Sequence, residues 1–215
     1  MGYTQHEVDL IKKYLPEVKS VLDFGSQNLY ICGESNPPFV STWYDIKGIT
    51  DYTCIDLAGD NNALKLNWSY PIEGERQYDL IVDSGSGEHS AQSEEYTSLA
   101  FHEGYINSVY PKGELNIAQG FYECWKNKHN FCKLGGLIIS INPLTGNWPN
   151  HCYNWLGFDF YTMFSEITDY KILEQGIQAA MGNTVDGYNL WSVLRKTTNY
   201  FPDFDLFSTL PIFKK

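Results

Sequence analysis

The sequence predicts an α/β fold, a three-layer sandwich in which helices cover both faces of a mostly parallel sheet of seven strands. Short apolar runs typical of buried strands alternate with segments whose apolar residues recur at helical spacing. Glycines and prolines stand between these segments. The length of 215 residues suits one such domain with a single buried core. We therefore treat residues 1–215 as one domain.

The first half of the chain contains one predicted helix and four predicted strands. Thr4 and Glu7 have the spacing of a capping box, and Val8, Ile11 and Leu15 follow at helical spacing. Each predicted strand is a short β-prone run, the first followed by a glycine turn and the second and fourth ending on an acid. These runs cover residues 20–24, 52–56, 63–66 and 78–83.

The second half begins with a predicted helix over residues 117–130, because Ile117, Phe121, Cys124 and Trp125 fall on one helical face. A pair of glycines then precedes the most strand-like run of the sequence. The predicted elements that complete the domain are strands at residues 137–141, 170–173 and 189–195 and a helix at residues 158–167.

Two connections, residues 28–50 and 90–116, are longer than the loops of an ordinary compact domain. Loops of this length usually act as lids or binding loops, and we interpret both as insertions. The proline pair within Asn36-Pro37-Pro38-Phe39 is interpreted as a rigid turn in the first of them.

Composition argues against several classes of partner. The formal net charge is -11, and the 15 Lys and Arg residues form no run, so no nucleic acid is expected. No apolar run is long enough to span a membrane, and no membrane partner is expected. Five cysteines without a CxxC pair predict neither a disulfide framework nor a zinc knuckle, and they suggest a reducing, cytoplasmic setting.

Three groups of residues follow predicted strands at one edge of the sheet. In an open parallel sheet, ligands bind beyond the carboxyl ends of the strands, where the strand order reverses. Gly25 lets the backbone pass close to a ligand, and the amides of Ser26 and Gln27 are then placed to bind a carboxylate. The alternative is that Gly25 serves only a tight turn. The other two groups are Asp56 with Leu57, and Asp83 with Ser84.

Asp56 ends the second predicted strand, where a carboxylate is placed to accept hydrogen bonds from both hydroxyl groups of a ribose. The alternative role of an acid at a strand end is to cap the next helix. Asp56 lies further from Gly25 than the roughly 20 residues usual between a glycine turn and a ribose acid. The interpretation of residues 28–50 as an insertion accounts for the extra distance.

Four segments, taken in order, resemble the class I S-adenosylmethionine-dependent methyltransferases that act on small molecules. They are VLDFG at 21–25, ID at 55–56, YDLIVDSG at 78–85 with EH at 88–89, and LGGLII at 134–139. The resemblance covers about residues 20–196. It implies a Rossmann-like fold, S-adenosylmethionine as the cofactor, and transfer of its methyl group to an oxygen or nitrogen atom of a small-molecule acceptor.

The resemblance also implies where the cofactor is held. In that family the first glycine turn holds the methionine part, the acid after the second strand holds the ribose, and a polar residue after the third strand meets the adenine. The corresponding residues are Asp23 and Gly25, Asp56, and Asn67 with its neighbour Trp68. The turn after Gly25 departs from the family pattern, because it keeps one glycine where the family has two or three.

Glu88 and His89 lie just past the fourth predicted strand, where the resemblance places the methyl group opposite the acceptor. A histidine with a pKa near neutrality is able to remove a proton from a hydroxyl or amine as it attacks the methyl carbon. The alternative is that His89 packs or hydrogen-bonds structurally. His151 is a second candidate base, with the alternative that it is a turn residue following Pro149.

Two other functions stay open. A nicotinamide-dependent oxidoreductase would use Asp56 equally well for a ribose, but the sequence lacks the GxGxxG turn that binds a pyrophosphate. A non-catalytic cofactor-binding or scaffold protein would keep the fold, and the single glycine of the turn agrees with this reading. No metal site is expected, because His89 and His102 on either side of Glu94 and Glu95 fit no compact ligand pattern.

Overall fold

The computed structural model describes residues 2–31, 38–57, 59–90, 117–145, 154–179 and 187–214. Seven strands within these ranges form one central sheet, in the order β5-β4-β2-β6-β7-β10-β9. Its strand pairs are parallel except that β10 runs antiparallel to both of its neighbours. This confirms the predicted α/β class and the mostly parallel sheet. The strands are β2 (Ser20–Phe24), β4 (Asp51–Asp56), β5 (Leu64–Lys65), β6 (Tyr78–Ser84), β7 (Cys132–Pro143), β9 (Lys171–Ala179) and β10 (Tyr188–Arg195).

Helices cover both faces of the sheet, which confirms the three-layer sandwich. One face carries α1 (Gln5–Lys12) and α2 (Val40–Ile46), which pack with Val21 and Val82 of the central strands. The opposite face carries a strongly aromatic cluster, which accounts for much of the aromatic content of the sequence. Its helices are α3 (Ile117–Phe131), α4 (Phe160–Thr168) and α5 (Phe204–Phe207).

The first helix begins as predicted. The Thr4 backbone N–H donates to Glu7 Oε2 at 2.7 Å, and Thr4 Oγ1 accepts from the His6 backbone N–H at 3.3 Å. The Thr4 side chain also accepts from the Glu7 backbone, so both bonds of the capping box that the sequence predicts are present. The helix ends at Lys12 and a single 3-10 turn, Leu15–Glu17, follows it before the first strand of the central sheet.

The connection at residues 28–50 contains two elements that the sequence did not predict. Strand β3 (Asn28–Leu29) pairs with β1 (Gly2–Tyr3), and the Leu29 N–H donates to Pro38 O at 2.8 Å. The Val40 N–H at the start of α2 donates to Gln27 O at 3.1 Å. The connection therefore begins after Gln27, and the chain returns beside the same residue at the start of α2. Asn36 and Pro37 of the predicted rigid turn lie outside the described residues.

Other elements differ from the predictions mainly in length. The third predicted strand is only Leu64–Lys65, whereas β7 and β9 run beyond the predicted bounds. Strands β8 (Asn154–Leu156) and β11 (Ile212–Lys214) form a separate two-stranded sheet that was not predicted. Of the second long connection, only Ser90 lies within the described residues. No helix in the described ranges is long and apolar enough to cross a membrane.

Candidate functional site

The strand order reverses between β2 and β6, and the predicted site residues meet at the carboxyl ends of these strands and of β4. The Gly25 N–H donates to Ile55 O at 2.8 Å, which joins the turn after β2 to the end of β4. The Gly85 N–H donates to Ile141 O at 3.0 Å, which joins the end of β6 to β7. The three groups predicted from separate segments therefore lie along one edge.

Gly25 is required by its surroundings as well as by its conformation. Its φ of +107° is one that side chains other than glycine rarely adopt. A Cβ atom at this position would lie 2.3 Å from Ser86 Oγ and 2.6 Å from Gln27 Nε2. The turn after β2 is thus packed directly on the segment after β6.

Asp56, at the end of β4, bonds to the turn that follows β2. Its Oδ2 atom accepts the Ser26 backbone N–H at 2.9 Å, and Ser26 Oγ accepts from Asn61 Nδ2 at 2.7 Å. The side chain of Asp56 is partly exposed, and so is the neighbouring Leu57. The Ser26 N–H, which the sequence analysis assigned to a carboxylate of the ligand, is therefore bonded to the carboxylate of Asp56 in this structure.

Gln27 is buried between the ends of the two central strands. Its Nε2 atom lies 3.0 Å from Ser86 Oγ, 3.2 Å from Ser84 O and 3.4 Å from Phe24 O. Phe24 and Ser84 are the last residues of β2 and β6. The sequence predicted a role for the Gln27 backbone amide, whereas the structure shows that the side chain also belongs to this region.

Asp23 lies beneath the turn and is fully buried. Tyr3 Oη donates to its carboxylate at 2.8 Å, and Tyr52 Oη donates to it at 3.0 Å. Burial raises the pKa of Asp23 to about 8, although the hydroxyls of both tyrosines act in the opposite direction. Asp23 is therefore a buried support of the turn, in contrast to Asp56 at its surface.

Asp83, at the end of the fourth predicted strand, is also fully buried and pairs with Lys128 of α3. Its Oδ1 atom accepts the backbone N–H groups of Ser86 at 3.2 Å and of Gly87 at 2.8 Å. Asn142 Nδ2 donates to the other carboxylate oxygen at 3.3 Å. The acid thus fixes the backbone that follows β6.

Lys128 was missed by the sequence analysis. Its ammonium group lies 4.2 Å from the ring centroid of Trp125 and 5.6 Å from that of Phe24. Burial acts to lower the pKa of Lys128, but the attraction of Asp83 outweighs it and the pKa is raised. A signal was present, because Lys128 follows Phe121 by seven residues and so falls on the apolar face of the helix.

Glu88 and His89 form a short 3-10 turn, Gly87–His89, directly after β6. Both side chains are buried, and His89 Nε2 lies 3.8 Å from Glu88 Oε1. Asn154 Nδ2 donates to Glu88 O at 3.3 Å and thereby ties this turn to β8. His151, the second candidate base, lies outside the described residues.

Asn67 and Trp68 follow β5, which is an edge strand of the central sheet. Asn67 Oδ1 accepts the Ser69 N–H at 3.0 Å in a local turn. Trp68 is buried, with its ring centroid 6.1 Å from that of Phe24, and Trp68 O accepts from Asn127 Nδ2 at 3.0 Å. Trp68 belongs to the core, whereas Asn67 is partly buried and follows Leu66, whose N–H donates to Asp56 O at 3.2 Å.

A cavity of about 630 Å³ lies along the outer edge of β4, lined by residues that include Thr53, Ile72 and Arg76. It runs beside that strand, whereas the predicted site lies beyond the carboxyl ends of three strands. Among the residues that the structure describes, no cluster of His, Cys, Asp and Glu is suited to hold a metal ion.

The fold is similar to that of solved methyltransferases. The N-methyltransferase NodS from Bradyrhizobium japonicum WM9 matches over 90% of this chain and 96% of its own, with a TM-score of 0.52 and 12% identity. A 1,6-didemethyltoxoflavin-N1-methyltransferase from Burkholderia thailandensis, solved with 1,6-didemethyltoxoflavin and S-adenosylhomocysteine, matches over 90% of this chain and 78% of its own, with a TM-score of 0.50 and 11% identity. No family model matches the sequence, and no curated protein does.

The chain therefore has the Rossmann-like fold of the class I S-adenosylmethionine-dependent methyltransferases. At 11 to 12% identity the likeness is one of fold. The function depends on the residues at the carboxyl edge of the sheet.

Proposed function

We propose that the protein is an S-adenosylmethionine-dependent methyltransferase that acts on an oxygen or nitrogen atom of a small-molecule acceptor. The observation that carries this proposal is the contact between the glycine turn and Asp56, in which Oδ2 accepts the Ser26 N–H at 2.9 Å. This contact joins a backbone turn and a partly exposed carboxylate at the point where the strand order reverses. A nucleoside with an amino-acid tail requires both features.

The residues at this edge fit that cofactor. Gly25 leaves room for Ser86 Oγ and Gln27 Nε2 to pack against the turn, so the backbone of residues 25–27 is held at the end of β2. We assign the ribose to Asp56 beside Leu57, the amino-acid part to residues 25–27, and the adenine to Asn67. Asp23 and Asp83 support these groups from below, since both are fully buried.

S-Adenosylmethionine, when bound, supplies an electrophilic methyl group. The protein's share of the reaction is then to hold the acceptor in line and to take up a proton from it. Glu88 and His89 follow β6 directly and are assigned this second role, together with His151. Both solved neighbours are named as N-methyltransferases, which supports nitrogen as one acceptor atom.

Calorimetric titration tests the proposal with S-adenosylmethionine, S-adenosylhomocysteine and NAD as separate ligands. The wild type is expected to bind the two sulfur ligands, and Asp56→Ala is expected to weaken both at least tenfold because the ribose loses its acceptor. Asp51→Ala is the matched control, since Asp51 begins the same strand at the opposite edge of the sheet. Tight binding of NAD without a response to either sulfur ligand would overturn the proposal.

A non-catalytic cofactor-binding protein is the second candidate, and the burial of His89, which is 7% exposed, favours it. Transfer of a labelled methyl group from S-adenosylmethionine to a panel of hydroxyl and amine acceptors separates the two. Transfer that Glu88→Gln and His89→Ala reduce supports the enzyme. Tight cofactor binding with no transfer to any acceptor supports the binding protein.

A further inference from the structure

Gln27 carries a buried acceptor without a hydrogen-bond partner. The Gln27 side chain is 2% exposed. Phe24 O and Ser84 O only accept hydrogen bonds, so the nitrogen of the amide must face them and the oxygen must lie on the other side. That oxygen, Oε1, is buried and has no donor. A buried acceptor without a donor lowers stability, so each such group in a folded protein needs a physical explanation.

The position of Gln27 Oε1 indicates which part of a ligand is able to bond to it. Gln27 lies two residues after Gly25, between the ends of β2 and β6, where the strand order reverses. Its backbone is fixed as well, because Gln27 O accepts the Val40 N–H at 3.1 Å. A ligand group that bonds to this acceptor must carry an N–H or O–H donor. In the amino-acid part of S-adenosylmethionine, the carboxylate and the sulfonium have no such donor, whereas the α-ammonium group has three.

We propose that Gln27 Oε1 accepts a hydrogen bond from the α-ammonium group of the cofactor and thereby selects ligands with an intact amino-acid tail. This inference rests on the proposed function. It assigns the recognition of the ammonium to a side chain of the turn, while the Nε2 atom of the same amide joins the ends of β2 and β6.

The test compares two ligands that differ only in the donor: S-adenosylhomocysteine and its α-keto analogue, in which a carbonyl replaces the amine. Calorimetry gives the preference of each variant for the amine over the ketone. Gln27→Met keeps the length of the side chain and removes both the acceptor and the Nε2 donor to Ser84 O. Loss of the donor affects both ligands alike, so the preference for the amine over the ketone is expected to fall about tenfold to a hundredfold.

Two further variants make the comparison specific. Gln27→Glu loses the same Nε2 donor but keeps an oxygen acceptor and adds a charge, so the preference for the amine is expected to rise about tenfold above that of the wild type. Gln178→Met is the matched control, because Gln178 also has a buried Oε1 without a donor but lies on β9, at the far side of the sheet. The preference of this control is expected to equal that of the wild type. The melting temperature of each variant reports whether it is folded.

The outcomes separate the inference from the proposed function. A preference for the amine that persists in Gln27→Met, or an equal loss of both ligands, overturns the inference and leaves the function in place. If Gln27→Met does not fold, Gln27→Glu decides, and an unchanged or reduced preference overturns the inference. Failure of the wild type to bind either S-adenosylmethionine or S-adenosylhomocysteine overturns the function and the inference together.

Discussion

Lys128 and Asp83 form an ion pair in which neither side chain is exposed to solvent. Lys128 comes from α3, and Asp83 lies in β6 just before the turn that carries Glu88 and His89. Because Asp83 also accepts the Gly87 N–H at 2.8 Å, the pair joins the aromatic layer of the core to the backbone of the site. The stability of the fold and the geometry of the site thus depend on one buried contact.

Replacement of Lys128 by methionine is expected to lower the free energy of unfolding by about 3–5 kcal/mol, because it leaves the Asp83 carboxylate buried without its cation. Urea denaturation at neutral pH measures the change. Lys13→Met is the control, since Lys13 pairs with Glu174 at 2.7 Å on the surface and such pairs contribute about 1 kcal/mol or less. Equal losses in the two variants would contradict the role of the buried pair.

Asp23 is expected to make the folded state less stable as the pH rises. Its pKa of about 8 in the folded protein exceeds the value of about 3.9 in an unfolded chain. The folded state therefore binds the proton more tightly. The stability that this proton contributes is complete below about pH 4 and is lost as the pH rises through 8, with a slope of up to about 1.4 kcal/mol per pH unit.

The variant Asp23→Asn tests this dependence, because an amide keeps an oxygen acceptor for Tyr3 and Tyr52 and cannot titrate. Urea denaturation of wild type and variant between pH 5 and 9 gives two profiles, and the wild type is expected to lose stability relative to Asp23→Asn as the pH rises. Parallel profiles would show that Asp23 is ionised throughout this range.

Much of the fold was predictable from the sequence, because the central strands are buried runs with few alternatives. Residues 20–24 agree with the observed strand β2, and residues 78–83 agree with β6 to within one residue. In contrast, β3 and β11 consist of two or three residues each. Strands this short are not long enough to show an alternation of apolar and polar residues. Helix α2 was missed because its first residues carry no capping signal: Phe39 makes no side-chain cap.

The proximity of the candidate site residues was predictable, but their individual contacts were not. The rule that ligands bind beyond the carboxyl ends of parallel strands brought Gly25 and Asp56 together correctly. The burial of Asp23 by Tyr3 and Tyr52 depends on contacts between residues 20 or more positions apart, which no local pattern reveals. The place of Lys128 on the apolar face of its helix was visible in the sequence, but its partner Asp83, 45 positions away, was not.

The replacement Gly25→Ala is expected to cost about 2–5 kcal/mol of stability, since a positive φ and a steric clash act together. Gly48→Ala is a matched control, because Gly48 also has a positive φ of +82° but nothing lies within 4 Å of its added Cβ. The control is expected to lose only about 1–2 kcal/mol. Urea denaturation measures both, and equal losses would show that the space beside Ser86 imposes no constraint.

The outer part of the connection after the glycine turn, residues 31–36, is expected to be dispensable for folding. The Leu29 N–H donates to Pro38 O at 2.8 Å, so the chain is already closed at the base of the insertion. Replacement of residues 31–36 by Ile-Asn-Gly keeps the isoleucine that packs against the core. It is expected to change stability by about 1 kcal/mol or less, because loop-closure entropy varies slowly with length.

Two measurements on this shortened chain separate a structural role from a binding role. Urea denaturation reports whether α2 still packs beside Gln27, through the bond from the Val40 N–H to Gln27 O. Calorimetry with S-adenosylhomocysteine reports whether the insertion contributes to the cofactor site. A stable variant that binds as the wild type does identifies the segment as an addition to the fold, and a stable variant that has lost binding makes residues 31–36 part of the site.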